Sequence, residues 1–207
     1  MDRSSGYLWG GIALVAVVLL TGAWLGTRAV VGSQPDAAEG ATTVSAEDAR
    51  YLAPESTCPG ASDLGAPIVA QQQTTMCLVN YARGKEGLGP LNVNTALMKS
   101  AELKVQDIVR CAEFSHDACG VDVRQRFADS GYFRADVETA FGENLAWGGA
   151  EAGSPRGALL GWLDSPEHRA NMFKADWRDQ GMALAYVPDF RGVPSSRIWV
   201  SHFGRQG

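Results

Sequence analysis

The chain predicts an α+β domain with one sizeable core, preceded by an apolar leader. Three observations carry that expectation. Thr95–Ile108 places Leu97, Met98, Ala101, Val105 and Ile108 on one helical face, with Lys99, Glu102, Lys104 and Gln106 on the other. Gly181–Val187 and Arg197–Phe203 are mostly apolar runs of strand length, the second rich in β-branched and aromatic residues. Ser154-Pro155 and Ser165-Pro166 each pair a helix-capping hydroxyl with a proline suited to the first helical position.

Taken in order, Met1–Tyr7 carries Arg3, Leu8–Leu25 is an uncharged apolar run long enough to span a bilayer, and Arg28 follows. No clean Ala-x-Ala site precedes Gln34, so residues 1–33 read as an uncleaved signal anchor, with a cleaved signal peptide as the alternative. The expected location is the cell membrane with an extracytoplasmic domain, or the exterior if the leader is cut. Residues 34–55 are rich in Ala, Gly, Ser, Thr and acidic side chains without apolar periodicity, the composition of a flexible tether. Residues 56–207 make the domain.

Ala66–Arg83 reads as a helix ended by Gly84 and Gly87, Leu88–Leu91 as a turn, and Thr95 as the cap of the clearer helix that follows. Val121–Ser130 is a third amphipathic segment that stops at Gly131. Glu143, between a glycine and an amide, suits a chain turning at the end of an element, where a carboxylate lines a cleft. Two short helices then follow Ser154 and Ser165; the second carries Glu167 and His168 in its first turn, where the helix dipole favours a carboxylate and a neutral imidazole. The two terminal strands form a hairpin around a loop holding Pro188, Gly192 and Pro194.

Charge excludes one class of partner. Without residues 1–33, 22 acidic side chains face 16 basic ones, a net charge of −6, so no basic face awaits nucleic acid. All four cysteines lie beyond the apolar run, and an even number in an exported domain reads as two disulfides. Three pairings exist; the preferred one joins Cys58 to Cys77 and Cys111 to Cys119, closing a short loop around His116. No Cys-x-x-Cys pair supports a zinc site of cysteines, and no Gly-x-Ser-x-Gly elbow supports a serine hydrolase.

Four blocks in sequence then carry a resemblance: Cys77-Leu78-Val79-Asn80 with Arg83 and Gly87-Leu88; Phe114-Ser115-His116; Gly142-Glu143-Asn144-Leu145-Ala146; and Trp162 with Ser165-Pro166-Glu167-His168-Arg169-Ala170-Asn171-Met172. From about Thr74 to Gly204 the chain resembles the CAP superfamily of cysteine-rich secretory, antigen 5 and pathogenesis-related proteins, in its shorter bacterial form. The resemblance implies an α-β-α sandwich with helices on both faces of a central antiparallel sheet. It also implies a cleft of two histidines and two acidic residues able to bind zinc or another divalent cation. Position by position, His116 and Glu143 match the first histidine and the Gly-Glu-Asn glutamate, and His168 the bacterial Ser-Pro-x-His histidine. Asp164 or Glu167 stands in for the fourth member, and Asn144 joins the cleft.

Two imidazoles and one carboxylate are the ligand types of a catalytic zinc site, with bonds of about 2.0–2.2 Å. They equally suit a metal-free hydrogen-bond network. His202 alternates with Ile198 and Val200 and reads as a residue that reaches the cleft or as edge polarity. Phe141, Trp147 and their aromatic neighbours are candidates for an apolar ligand groove. The expectation is a non-enzymatic envelope binding domain taking a lipid or another envelope component, with a zinc-assisted hydrolase in the same cleft as the alternative.

Overall fold

The computed structural model describes residues 44–207. The apolar run and residues 34–43 of the expected tether lie outside them; among the described residues no helix is long and apolar enough to cross a membrane. Order begins before residue 56: after the short helix α1 (Ala46–Ala49), Tyr51 and Ala53 are buried in the main core, so this part of the expected tether packs on the domain.

Helix α2 spans Ile68–Lys85 and buries Thr75, Leu78, Val79 and Ala82 at three- and four-residue steps. It runs through Gly84 and stops where Gly87 takes a left-handed φ of 70°. A two-residue strand, β1 (Asn92–Val93), leads into α3 (Thr95–Cys111). The cap of α3 is Asn94, not Thr95: its Oδ1 accepts from the N–H groups of Ala96 and Leu97 at 2.9 and 3.3 Å. Of the expected apolar face Leu97, Ala101, Val105 and Ile108 are buried and Met98 is half-buried, with one correction. Lys104, expected on the polar face, is fully buried, because the carbonyls of His116 and Val121 receive its ammonium. Helix α4 (Val123–Asp129) is capped by Asp122 and closed at Gly131, φ 82°.

Thr139–Gly148 forms β2, so Glu143 sits in mid-strand and not at a turn. Gly142, Glu143 and Asn144 have little strand propensity; full pairing with the last strand imposes the conformation. Helices α5 (Pro155–Asp164) and α6 (Pro166–Met172) begin as expected, Ser154 Oγ accepting from the Gly157 N–H and Ser165 Oγ from that of His168. Strands β3 (Asp179–Phe190) and β4 (Val193–Gln206) run through Pro188 and Pro194, leaving a two-residue turn at Arg191-Gly192 in place of a long loop. Both turn residues have positive φ, 54° and 82°, which matches the twist of a tight hairpin.

The sheet order is β1-β3-β4-β2, antiparallel except for the β1–β3 pair. Its pleat sends Met182, Leu184, Trp199 and Phe203 to one face, against α2, α5 and α6. Leu145, Ala183, Ile198 and Val200 fill the other, beneath α3. This is the three-layer α-β-α sandwich. Cys58 pairs with Cys77 and Cys111 with Cys119, at Cα separations of 5.7 and 5.5 Å.

Candidate functional site: a carboxylate between two imidazoles

Strand β2 is an outer strand of the sheet, and its residues divide by parity. Phe141, Glu143, Leu145 and Trp147 project toward the α3 layer, whereas Asn144 and Ala146 face the α6 layer. Glu143 lies opposite His202 in the β2–β4 register, so the ladder itself sets the carboxylate beside that ring.

The result is a continuous chain of hydrogen bonds. Glu143 Oε2 is 2.7 Å from His202 Nε2, and Glu143 Oε1 is 2.5 Å from His116 Nδ1. His202 Nδ1 is 2.6 Å from Ser100 Oγ on α3. An ionised carboxylate only accepts, so both imidazole nitrogens beside it carry protons; a neutral His202 then accepts from the Ser100 hydroxyl. A neutral His116 keeps its lone pair on Nε2, away from Glu143. Exposure is graded along this chain: the His202 side chain is 0% exposed, that of Glu143 2% and that of His116 53%. Phe127 of α4 covers the buried end, its ring stacked 4.4 Å from that of His202.

Electrostatics follow from these contacts. Burial alone would push the Glu143 carboxyl up, but the bonds from His116 and His202 outweigh it and hold the group below its ordinary value. The His116 pKa is raised, first by its bond to Glu143 and against burial. That of His168 is lowered, first by burial and then by the charge of His116. Burial thus disfavours the charged form of His168.

Two other devices build the walls. On one side α6 is clipped to β2: Asn171 Nδ2 donates to the Glu143 carbonyl at 3.2 Å and to Asn144 Oδ1 at 2.8 Å, while Asn144 Nδ2 donates to the His168 carbonyl at 2.9 Å. Gly142 is required there, since a Cβ would lie 2.6 Å from Asn171 Oδ1 and 2.9 Å from the Trp177 ring. Arg83 holds the far end of α6 through the carbonyls of Met172 and Lys174 at 2.7 and 3.0 Å. On the other side Lys104 and the Cys111–Cys119 bridge fix the loop that carries His116. Half-buried aromatic rings neighbour the cluster along the chain: Phe114, two residues before His116, packs on Trp147 at 6.3 Å, and Phe141, two residues before Glu143 on the same strand face, packs on Phe133 at 5.5 Å.

The sequence-predicted residues therefore divide. His116, Glu143 and His202 meet directly, and Asn144, next to Glu143 on β2, donates to the backbone carbonyl of His168. Asp164 and Glu167 are exposed and form no hydrogen bond or ion pair among the described residues, so neither supplies the fourth member of the cluster. Both oxygens of Glu143 are already held by imidazole N–H groups, and among the described residues no three His, Cys, Asp or Glu side chains gather closely enough to share an ion. A three-ligand zinc centre of His116, Glu143 and His168 would require His116 to leave the Glu143 oxygen that it faces here. Ser100 and Lys104 were not anticipated as site residues. Their signal was present in the helical period, because both fall on the face of α3 defined by Leu97, Ala101, Val105 and Ile108.

Comparison with known proteins agrees with this architecture. Residues 76–203 match the family described as CAP, the cysteine-rich secretory protein family. The chain is 29% identical over 140 residues to the uncharacterized protein YkwD of Bacillus subtilis, covering 66% of this chain and 48% of that one, so it spans about half the length of this curated relative. An outer surface protein from Borrelia burgdorferi superposes with a TM-score of 0.58 at 19% identity, over 69% of this chain and 97% of that chain. An extracellular protein containing a SCP domain from Bacillus anthracis gives 0.53 at 22% identity, over 66% and 41%. With the family match covering more than half of its length, this chain belongs to the cysteine-rich secretory protein (CAP) family, in its bacterial form.

Proposed function

We propose that this chain is an extracytoplasmic, envelope-tethered binding domain whose cleft at the outer edge of β2 takes an amphiphilic ligand without chemical conversion. The observation that carries the reading is the commitment of Glu143. A carboxylate that is 2% exposed and holds an imidazole on each oxygen orients those rings; it is not free to take a proton from water or substrate. The exposed part of the cluster is the outer edge of His116, a polar contact point whose neighbours along the chain include the ring pairs Phe114–Trp147 and Phe133–Phe141. Polar centre and apolar neighbours suit a ligand with a polar head and a hydrocarbon body, such as a lipid of the envelope. The apolar run Leu8–Leu25 would hold the domain at the membrane where such ligands occur.

The hydrolase reading has one feature in its favour: burial disfavours the charged form of His168, and a metal needs the neutral form. It requires Glu143 to release His116, and we derive no step through a metal.

The test uses Trp147 as the reporter. Dodecanoate, below its micellar concentration, is titrated into the full-length protein and into the Trp147→Phe and His116→Ala variants. A saturable change in tryptophan fluorescence that is lost in Trp147→Phe and weakened in His116→Ala supports the binding reading. No change, together with one-to-one zinc uptake in calorimetry that Glu143→Gln abolishes, replaces it with the hydrolase.

A further inference from the structure

The two disulfides differ in setting. Cys58 is fully buried in the main core, behind α2. Cys111 is exposed at the last residue of α3, and its partner Cys119 lies in a short 3-10 turn with Arg110 Nε 3.4 Å from its sulfur. The second bridge closes the loop in which Phe114, Ser115 and His116 sit. That loop is held under backbone constraint at both ends: Ala112 and Cys119 adopt left-handed φ values of 50° and 61°, conformations unfavourable for residues with a Cβ. Glu113 braces it from within, its carboxylate accepting from the Cys119 N–H at 3.0 Å.

We propose that Cys111–Cys119 is a thiol–disulfide exchange site for an external dithiol, and that its state decides whether His116 is held against Glu143. A thiolate of the dithiol attacks Sγ of Cys111, the exposed residue of the pair; a new sulfur–sulfur bond forms there as the Cys111–Cys119 bond breaks. Cys119 departs as a thiolate beside the Arg110 guanidinium, which stabilises the leaving group. The second thiol of the dithiol then displaces Cys111 from the mixed disulfide. The dithiol ends as a cyclic disulfide, and its two electrons and two protons leave both protein sulfurs as thiols. With the bridge open, Ala112 and Cys119 relax toward ordinary backbone, and the loop loses the covalent tie that positions His116. Cys58–Cys77, with Cys58 fully buried and Cys77 half-buried on α2, stays closed.

The effect of this switch on ligand binding rests on the cleft reading above; the exchange itself does not. The experiment exposes the full-length protein to graded dithiothreitol, quenches with iodoacetamide and maps the label by mass, with the His116 imidazole N–H followed by nitrogen-resolved NMR. The expected result is alkylation of Cys111 and Cys119 at about tenfold lower dithiothreitol than Cys58 and Cys77. Arg110→Gln slows that opening severalfold, and the His116 N–H resonance disappears while the near-ultraviolet circular dichroism is unchanged. The Cys111→Ser/Cys119→Ser double variant shows the same loss without reductant. Joint labelling of all four cysteines with loss of the aromatic signal overturns the proposal, as does selective opening that leaves the His116 resonance in place. Selective opening in a protein whose oxidised form takes no dodecanoate overturns the cleft reading alone.

Discussion

Glu143 is a buried charge whose partners are both imidazoles, and the consequences of removing it follow from that. In Glu143→Gln the charge that both imidazoles face is gone and one ring must change tautomer to accept from the amide nitrogen, so the variant is predicted to lose about 2 kcal/mol of unfolding free energy in urea. Titration gives a second expectation at this scale. His116, with a raised pKa, adds stability that is complete below the ordinary imidazole value of 6.5 and is lost as pH rises through the folded value. Glu143, with a lowered pKa, adds stability that is present above the ordinary 4.5 and is lost as pH falls through its folded value. The pair is strongest between these two values. His168 acts in the opposite sense to His116, since its lowered pKa costs stability once pH falls below 6.5. Urea unfolding of the native protein and His116→Asn should therefore differ most near about pH 5.5 and least near about pH 8.5. A difference that grows with pH would contradict the ion pair.

Among the elements, α3 and β2 decide where the site lies, and they were legible to different degrees. Helix α3 was readable because its apolar residues recur at the helical period, and the same period contained Ser100 and Lys104. A polar residue on an apolar face acquires meaning only when its partner is known, and the partners here lie on β4 and the His116 loop. Strand β2 was not readable. Gly142-Glu143-Asn144 favours turns locally, and only ten consecutive pairs with β4 make it a strand. The two capping serines and the terminal hairpin were legible because their chemistry is local, but the strands continued through two prolines that punctuate most strands. The packing of α3 on β3 gives a test at this scale. A Cβ on Gly181 would lie 2.2 Å from the carbonyl carbon of Leu97, on backbone that cannot swing aside. Gly181→Ala is predicted to cost about 3 kcal/mol and to weaken the Ser100–His202 bond, seen as a shifted His202 ring resonance in NMR.

For the whole domain, the layers are joined by a small number of long-range ties, and the Cys58–Cys77 bridge is one of them. It fastens the segment holding Tyr51 and Ala53 to α2, across a sequence separation of 19. Replacing both by serine is predicted to cost about 3 kcal/mol in chemical denaturation, through the freedom returned to the unfolded chain. The α-β-α order was reachable through the family resemblance that the four sequence blocks carry together; in the fold they lie on α2, the loop after α3, β2 and α5–α6. Geometry was not reachable: sequence separations of 27 and 59 residues say nothing about two hydrogen bonds to one carboxylate.

The central claim is that Glu143 orients His116 and His202 for a cleft that binds without reacting. Calorimetric titration of zinc into the full-length protein, beside Glu143→Gln, tests it most directly, because a metal and the two imidazoles compete for the same oxygens. The account predicts no one-to-one binding that depends on Glu143, with dodecanoate still bound. Tight one-to-one zinc uptake that Glu143→Gln abolishes would contradict it and make the carboxylate a ligand.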